Sequence, residues 1–332
     1  MAALLAGALF GGLAQAQLNS NQSATGALGK AWGFFYGQMA RLDRIEQTHP
    51  DLRAAVFQAR SELQAAFPDL ETQAEKSFRS WGATDEHLAK MRQQLRDGLA
   101  PMLAQKPIDR ESSLAFLGAV RERAKGVDVP EDILQYLLAA AFMDRPHVEL
   151  LRGWRKDYSS RGHPKAKGIE VRLKVPRSFK QEEGERPNIV AKWTSEGGNG
   201  SEIMMLTVLA GGQDALSRRE IDDDLRLGER SEIRSALEEV GKVLSLRSFS
   251  QELAAGYIAE VETNADRAGF EMTIRQRMFV LFVKNRAVSF SCQIGTARDR
   301  ALTLESRMAR FGELCRLTVN SLVLPQQYSG GG

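Results

Sequence analysis

The stretch Ile169-Glu-Val-Arg-Leu-Lys-Val175 decides the fold class of this chain, because the hydrophobic pattern changes there. Apolar and charged residues alternate strictly along it, and Pro176 ends the alternation. Since neighbouring side chains of a strand point to opposite faces, the pattern predicts a strand with one buried face. From Ala27 to about Tyr158 the apolar residues instead recur at helical spacing. We therefore expect a change from helices to strands near Ser160.

The region before this change is predicted to be a helical bundle. The first helix carries apolar residues three and four positions apart from Leu28 to Ile45 and stops at His49-Pro50. Asp51 begins a second helix, which ends at Pro68. Further helices are predicted at about 69–80, 84–97, 111–124 and 131–143.

The region after the change is predicted to be a mostly antiparallel sheet flanked by helices. A loop that is rich in glycine, Ser195–Gly200, is expected to close a hairpin, and Asn285 is expected to supply another turn. Helices are predicted for Ala215–Val240 and for about Ala301–Leu322. The strands are predicted at 169–175, 188–194, 201–209, 243–249, 256–263, 269–283 and 286–295. The fold class is therefore α+β, with an all-α bundle followed by an α/β/α sandwich.

The N-terminal stretch predicts export. Residues 2–13 carry no charge, and the following Ala14-Gln15-Ala16 has the small-x-small pattern that signal peptidase requires. The run is too short to span a bilayer, which needs about 20 apolar residues. We predict cleavage after Ala16 and a periplasmic or secreted protein. No Lys or Arg precedes the run, which leaves an apolar helix of a cytosolic protein as the alternative.

Length and pattern together predict the domain organisation. A chain of 332 residues exceeds the size at which one core stops growing, so two domains are expected. The predicted division is a signal peptide at 1–16, a helical domain at 17–160, a basic linker at 161–168, an α/β domain at 169–324 and a disordered tail at 325–332.

Charge is unevenly distributed along the chain. The formal net charge of +3 is too small for nucleic-acid binding, which requires a clustered basic surface. Between Arg152 and Lys180, however, ten basic residues stand against Asp157 and Glu170. This window is predicted either to contact an anionic surface or an acidic partner, or to be a solvated linker followed by the outer face of a strand. The candidate contact residues are Arg152, Arg155, Lys156, Arg161, Lys165 and Lys167.

The two cysteines are predicted to form a disulfide. Strand alternation places Cys292 on the same face as Phe290 and Ile294, and helical spacing places Cys315 on one stripe with Phe311. If the last helix packs on that strand, both sulfur atoms face one core. Two buried reduced thiols are the alternative.

Aromatic residues crowd one short segment of the first helix. The segment also contains Gly33 and Gly37, which would let a partner helix approach closely. Burial inside the bundle is one interpretation, and docking of another protein or an apolar ligand is the other. The candidate docking residues are Trp32, Phe35, Tyr36 and Met39.

No catalytic or metal site is predicted. The histidines at 49, 87, 147 and 163 are widely separated, and none has a second ligand at the spacing that zinc sites use. Adjacent residues of a helix point about 100° apart, so Asp222-Asp223-Asp224 do not converge on one cation. No nucleophile elbow, Walker loop or His-Glu-x-x-His motif occurs. The prediction is that the protein uses no cofactor.

Residues 165–324 resemble the PsbP/Mog-type α/β/α sandwich, which is also found in DcrB-like exported bacterial proteins. The resemblance rests on the strand and aromatic residue of 169–179, on the strand pair Met278–Val283 and Val288–Ile294, and on the end of the last helix at Asn320-Ser321-Leu322. It implies a module for binding, assembly or chaperoning without a shared catalytic motif. The helical region resembles no family.

Three functions are compatible with these features. The first is an exported protein, not an enzyme, that binds another protein of the bacterial cell envelope. The second is a carrier of a lipid or another apolar ligand, with the basic window at the headgroup layer. The third is an enzyme whose catalytic residues are scattered along the sequence. The sequence does not predict an oligomeric state.

Overall fold

The computed structural model describes residues 16–104, 108–210, 216–267, 270–297 and 303–328. The chain divides into two compact units, the helical unit Asn21–Met143 and a sheet unit that contains Asp144–Gly332. The predicted signal peptide lies outside the described residues except for Ala16. The predicted disordered tail begins with a short 3-10 helix, Pro325–Gln327.

The helical unit contains the six helices that the sequence predicts. Apolar side chains at helical spacing form its core, among them Leu28, Leu63 and Leu134. Its helices are α1 (Ala16–Thr48), α2 (Arg53–Ala66), α3 (Leu70–Ser80), α4 (Asp85–Ala104), α5 (Arg110–Arg123) and α6 (Glu131–Ala141).

Helices α2 and α5 pack side by side, and the residues that pair between their two segments are 59 positions apart in the sequence. The Arg110 Nε atom lies 3.0 Å from a carboxylate oxygen of Asp51, and the Arg121 Nε atom lies 3.1 Å from one of Glu62. Both pairs are 59 residues apart. Because the offset stays the same along both helices, the helices run in the same direction.

The close approach predicted at Gly33 and Gly37 occurs between two helices of this unit. A Cβ atom on Gly33 would lie 3.1 Å from the Leu95 Cδ2 atom, and one on Gly37 would lie 3.6 Å from the Leu99 Cδ2 atom. Helix α4 is therefore the helix that approaches α1 closely at these two glycines.

The boundary between the units lies between Met143 and Asp144, and the predicted boundary at Ser160 is too late. Residues 144–160 contain α7 (His147–Leu151) and β1 (Arg155–Ser159). Strand β1 pairs with β2 (Arg172–Pro176), so it belongs to the sheet unit. The predicted linker 161–168 is also folded, because Ala166 lies in the main core. Strand β1 was missed because five residues are too few to establish an alternation.

The sheet unit contains a seven-stranded antiparallel sheet of order β3-β4-β5-β9-β8-β7-β6. The described part of this unit also has two helices between β5 and β6 and one after β9. The further strands are β3 (Lys180–Glu182), β4 (Ile189–Thr194), β5 (Glu202–Ala210), β6 (Lys242–Gln251), β7 (Ala254–Arg267), β8 (Phe270–Val283) and β9 (Arg286–Ala297). The helices are α8 (Arg218–Arg226), α9 (Glu232–Glu238) and α10 (Leu304–Asn320).

Helices cover both faces of the sheet, which confirms the predicted α+β class and its α/β/α layering. On one face, here called face A, Phe311 and Cys315 of α10 share a core with Phe290 and Cys292 of β9. On the other face, Ile221 of α8 and Leu237 of α9 share a core with Tyr257 and Val280.

The predicted strand 169–175 is shorter in the structure, where β2 covers Arg172–Pro176 and lies outside the main sheet. Its apolar residues are buried in the core of face A, as the alternation predicts. It pairs with β1 in a separate two-stranded sheet, which packs over face A through contacts such as that of Tyr158 with Trp193. The ring centroids of these two residues are 4.9 Å apart.

Two predicted turns differ in detail. The loop Ser195–Gly200 does join β4 to β5, and it begins with one short helical turn in which Glu196 and Gly197 have left-handed backbone conformations. In the turn between β8 and β9 the left-handed residue is Lys284, with φ of 54°, and not Asn285. A lysine accepts this conformation at a steric cost that asparagine largely avoids.

The predicted disulfide Cys292–Cys315 is present and joins β9 to α10. The Cα atoms are 6.3 Å apart, a distance that disulfides commonly span. Both residues are fully buried in the core of face A. The bond therefore ties the last helix to the centre of the sheet.

Replacement of Cys292 or Cys315 by serine is expected to lower the free energy of unfolding by about 3.4 kcal/mol, because the unfolded chain loses a closed loop of about 24 residues. The far-UV circular dichroism spectrum should stay unchanged, since apolar packing still holds α10. Urea denaturation under non-reducing conditions measures the effect. Equal stability of both variants and the wild type, or two alkylatable thiols in the native protein, would contradict the structural role.

Candidate functional site

An open cleft of about 450 Å³ lies beside β3 at the edge of the main sheet. Strand β3 pairs with β4 on one side and is the last strand of the sheet on the other. The cleft, here called the β3 cleft, lies between this strand and the segment 158–164. Its lining residues are Tyr158, Ser159, Arg161, Gly162, His163, Pro164, Gln181, Glu182, Glu183 and Val190.

The wall opposite β3 is held by buried contacts. Tyr158 stands edge-on against the Trp193 ring on face A. The Ser160 hydroxyl donates to the Ile169 carbonyl at 3.1 Å and accepts from the Val171 N–H at 2.8 Å. Because these bonds close the loop between β1 and β2, the segment that faces β3 is fixed at both ends.

A buried carboxylate anchors the start of β3. One Glu149 oxygen accepts from the Ser178 N–H at 2.7 Å, and the other accepts from the Ser178 hydroxyl at 2.6 Å. Glu149 is 1% exposed. Burial raises the pKa of Glu149 to about 7, and the two bonds from Ser178 oppose the rise. Since Ser178 is two residues before β3, Glu149 positions the edge strand.

The carboxylates of the cleft are paired with lysines. Lys165 lies 3.0 Å from a Glu183 oxygen and lowers the pKa of that carboxyl. The Lys192 ammonium lies 3.4 Å from a Glu182 oxygen. Burial raises the pKa of Tyr158 to about 12, so its hydroxyl stays protonated near neutral pH.

The six basic residues predicted as an anionic-surface contact have different surroundings. Arg161 lines the β3 cleft. Lys165 is paired with Glu183, and the Lys167 ammonium donates to Asn188 and to the Val208 carbonyl inside the fold. The remaining three lie nearby in sequence, with the side chains of Arg152 and Arg155 exposed and that of Lys156 half-buried. Contact with an anionic surface stays a prediction, and it no longer rests on Lys165 or Lys167.

The predicted docking residues of α1 divide into core and partly exposed side chains. Trp32 is 2% exposed, and its ring packs 5.8 Å from that of Phe78. Phe35 packs edge-on against Phe67, while Tyr36 and Met39 are half-buried. Trp32 therefore belongs to the core of the helical unit, which was the alternative interpretation.

The three consecutive aspartates have three separate sets of partners. Asp222 pairs with Arg218 and Asp223 with Arg226, whereas Asp224 accepts from the Ser231 hydroxyl near the start of α9. Their side chains diverge, as helical geometry predicts. Within the described ranges, no group of three His, Cys, Asp or Glu residues is arranged to hold a metal ion.

A second polar cluster next to β3 was missed by the sequence analysis. The turn that contains Glu196 packs on the start of β3, where a Cβ atom on Gly198 would lie 2.9 Å from the Lys180 side chain. Burial and then the charge of Glu202 raise the pKa of Glu196 to about 7, and Arg307 opposes the rise. The only sequence feature noted at this position is the glycine-rich loop. That loop predicts a turn, and it does not predict a carboxyl with a raised pKa.

Comparisons with known proteins do not identify a family. No protein-family model matches the chain, and no curated protein matches it. A solved structure from Bacteroides thetaiotaomicron VPI-5482 is similar at a TM-score of 0.27, with 10% identity over 46% of this chain and 44% of that chain. This likeness is too low to support an argument, and the resemblance to PsbP/Mog-type proteins stays a prediction. In the part of the chain that the structure describes, no helix has the length and apolar character needed to cross a membrane.

The variant Glu149→Gln is expected to change how stability depends on pH. A carboxyl whose pKa is raised in the folded state stabilises the fold fully below its unfolded pKa, and this contribution is lost as pH rises through about 7. The glutamine amide can donate to the Ser178 hydroxyl and accept from its N–H, but it does not titrate. Between pH 5 and 8 the wild type should therefore lose on the order of 2 kcal/mol relative to the variant.

Urea denaturation at pH 5, 6, 7 and 8 measures this difference. The matched control is Glu183→Gln, because the pKa of Glu183 is lowered and that carboxyl stays ionised over the whole range. The control should follow the wild-type pH dependence. Identical pH dependence of the wild type and Glu149→Gln would rule out the role given to Glu149.

Proposed function

We propose that this chain is an exported binding protein whose sheet unit takes up an extended segment of another protein along the free edge of β3. The observation that carries the proposal is the open β3 cleft beside an edge strand. An edge strand offers main-chain N–H and C=O groups to an added strand, and adjoining pockets select its side chains. A cleft of about 450 Å³ has the size of a specific binding pocket.

The charges in the cleft favour a segment with an acidic residue. Glu182 and Glu183 are already paired with lysines. Arg161 is exposed and, among the described residues, has no carboxylate oxygen within ion-pair distance. Its guanidinium is therefore available for a bidentate bond to a carboxylate of the partner.

The alternatives find less support in this cleft. A carrier of apolar ligands needs an apolar cavity, whereas most side chains that line the β3 cleft are polar or charged. An enzyme needs an acid or base placed for proton transfer. The cleft carboxylates are neutralised by lysines, and the His163 Nδ1 atom accepts from the Lys165 N–H at 3.3 Å.

Export of the protein is part of the proposal. Disulfides persist in oxidising compartments such as the periplasm and are rare in the cytosol. The bond between Cys292 and Cys315 and the predicted cleavage after Ala16 both support a periplasmic or secreted location. The partner would then be another protein of the cell envelope.

Selection from a displayed library of random seven-residue peptides tests the proposed binding. Peptides with an acidic residue are expected to be enriched on the wild type. The variant Gln181→Trp should weaken their binding by about tenfold or more, because an indole at this exposed edge position fills the cleft. Fluorescence anisotropy of labelled peptides measures the affinity.

Two further variants make the test specific. Ser245→Trp places the same indole at an exposed position of β6, the opposite edge of the sheet, and should leave binding unchanged. Arg161→Glu should weaken the binding of acidic peptides by about tenfold through charge reversal. Enriched peptides that bind Gln181→Trp as well as the wild type, or no enrichment at all, would contradict the proposed function.

A further inference from the structure

The helical unit contains two arginines that share one aromatic ring. The guanidinium carbon of Arg41 lies 4.9 Å from the centroid of the Phe116 ring, and that of Arg123 lies 5.8 Å from the same centroid. Arg123 also lies 6.0 Å from the centroid of Phe34. We call Arg41 and Arg123 the arginine pair.

The helices place these residues on facing stripes. On α1, Phe34, Gln38 and Arg41 follow one another at spacings of four and three, so they share a face. On α5, Phe116 and Arg123 are two turns apart, with buried Val120 between them. The two stripes meet through these side-chain contacts between α1 and α5.

Within the described part of the chain, the arginine pair has no acidic partner. The two acidic residues nearest to the pair in sequence form ion pairs with other residues. Asp43 lies 2.7 Å from Arg60, and Glu122 lies 2.7 Å from Lys125. Both members of the pair are half-buried. Two positive charges thus lie within 6 Å of the centroid of one aromatic ring, partly out of water, without a counter-charge from the described residues.

The hydrogen-bond donors of Arg123 are only partly used. One terminal nitrogen donates to the side-chain amide oxygen of Gln38 at 2.7 Å, and the Gln38 amide nitrogen in turn donates to the main-chain carbonyl of Phe34 at 3.4 Å. These bonds fix the orientation of the Arg123 guanidinium. Its Nε atom is buried and has no hydrogen-bond acceptor in the described structure.

We propose that the arginine pair is a binding site for an oxyanion, a phosphate or carboxylate group, on the helical unit. A guanidinium presents five N–H donors in a planar fork that matches the geometry of these anions. The anion would supply the counter-charge that the described residues do not provide. Contacts with Phe34 and Phe116 hold the guanidinium planes in place before the anion arrives.

This site is independent of the β3 cleft. All of its residues belong to the helical unit, and none of them is among the six basic residues that the sequence predicted for an anionic surface. If the β3 cleft does not bind peptides, the proposal for the arginine pair still stands. If the arginine pair does not bind an anion, the proposal for the β3 cleft still stands.

Calorimetric titration of the full chain with inorganic phosphate at constant ionic strength tests the proposal, with acetate and chloride as further probes. Phosphate is expected to bind the wild type more tightly than chloride. The variants Arg41→Gln and Arg123→Gln should each weaken phosphate binding by about tenfold or more. Arg110→Gln is the matched control, because Arg110 is an exposed arginine of α5 that is paired with Asp51.

Additional measurements separate the possible outcomes. Circular dichroism and the thermal midpoint in chloride show whether each variant folds. If Arg123→Gln does not fold, the binding test uses Arg41→Gln alone. Sedimentation with phosphatidylglycerol vesicles distinguishes a lipid phosphate from a free phosphate. The site is supported if either of them binds the wild type and this binding is weakened by the substitutions in the arginine pair. The proposal is overturned if phosphate, acetate and vesicles all fail to bind the wild type, or if they bind the folded variants and the wild type equally.

Discussion

The sheet unit requires a cover over face A, and this apolar face of the sheet is wider than one helix. Seven strands at about 4.8 Å spacing are about 29 Å wide, whereas a helix with its side chains is about 10 Å across. On face A, α10 covers the region around β9, where the disulfide holds it. The two-stranded sheet of β1 and β2 covers the region around Trp193 of β4. The β3 cleft lies where this second cover ends, beside the last strand.

The placement of β3 requires a polar contact as well as apolar packing. A three-residue strand with one neighbour has too few ladder hydrogen bonds to define its own position. Glu149 supplies the missing constraint, because both of its oxygens accept hydrogen bonds from Ser178 just before the strand. Burial of the carboxyl raises the pKa of Glu149, so the stability of the fold is expected to depend on pH.

The sequence predicted those features that depend on local periodicity, and it missed those that depend on contacts between distant segments. The alternation around Cys292 and the helical stripe around Cys315 were sufficient to predict the disulfide. Strands β1 and β3 are too short for any periodicity, so the domain boundary and the cleft were not predicted. Arg41 and Arg123 are 82 positions apart, and no pattern in either helix indicates that they share a ring. Glu149 stood in an apolar stretch without any feature that marks a buried carboxyl.

The proposed recognition uses the backbone of an edge strand, with side chains as selectors, and it can be measured directly. Amide hydrogen exchange of the sheet unit, with and without a peptide selected on the wild type, reports which main-chain groups become hydrogen-bonded. Bound peptide is expected to slow exchange in residues 180–183 and to leave β6, at the opposite edge, unchanged. Slowed exchange in β6, or unchanged exchange in residues 180–183 under saturating peptide, would contradict strand addition at β3.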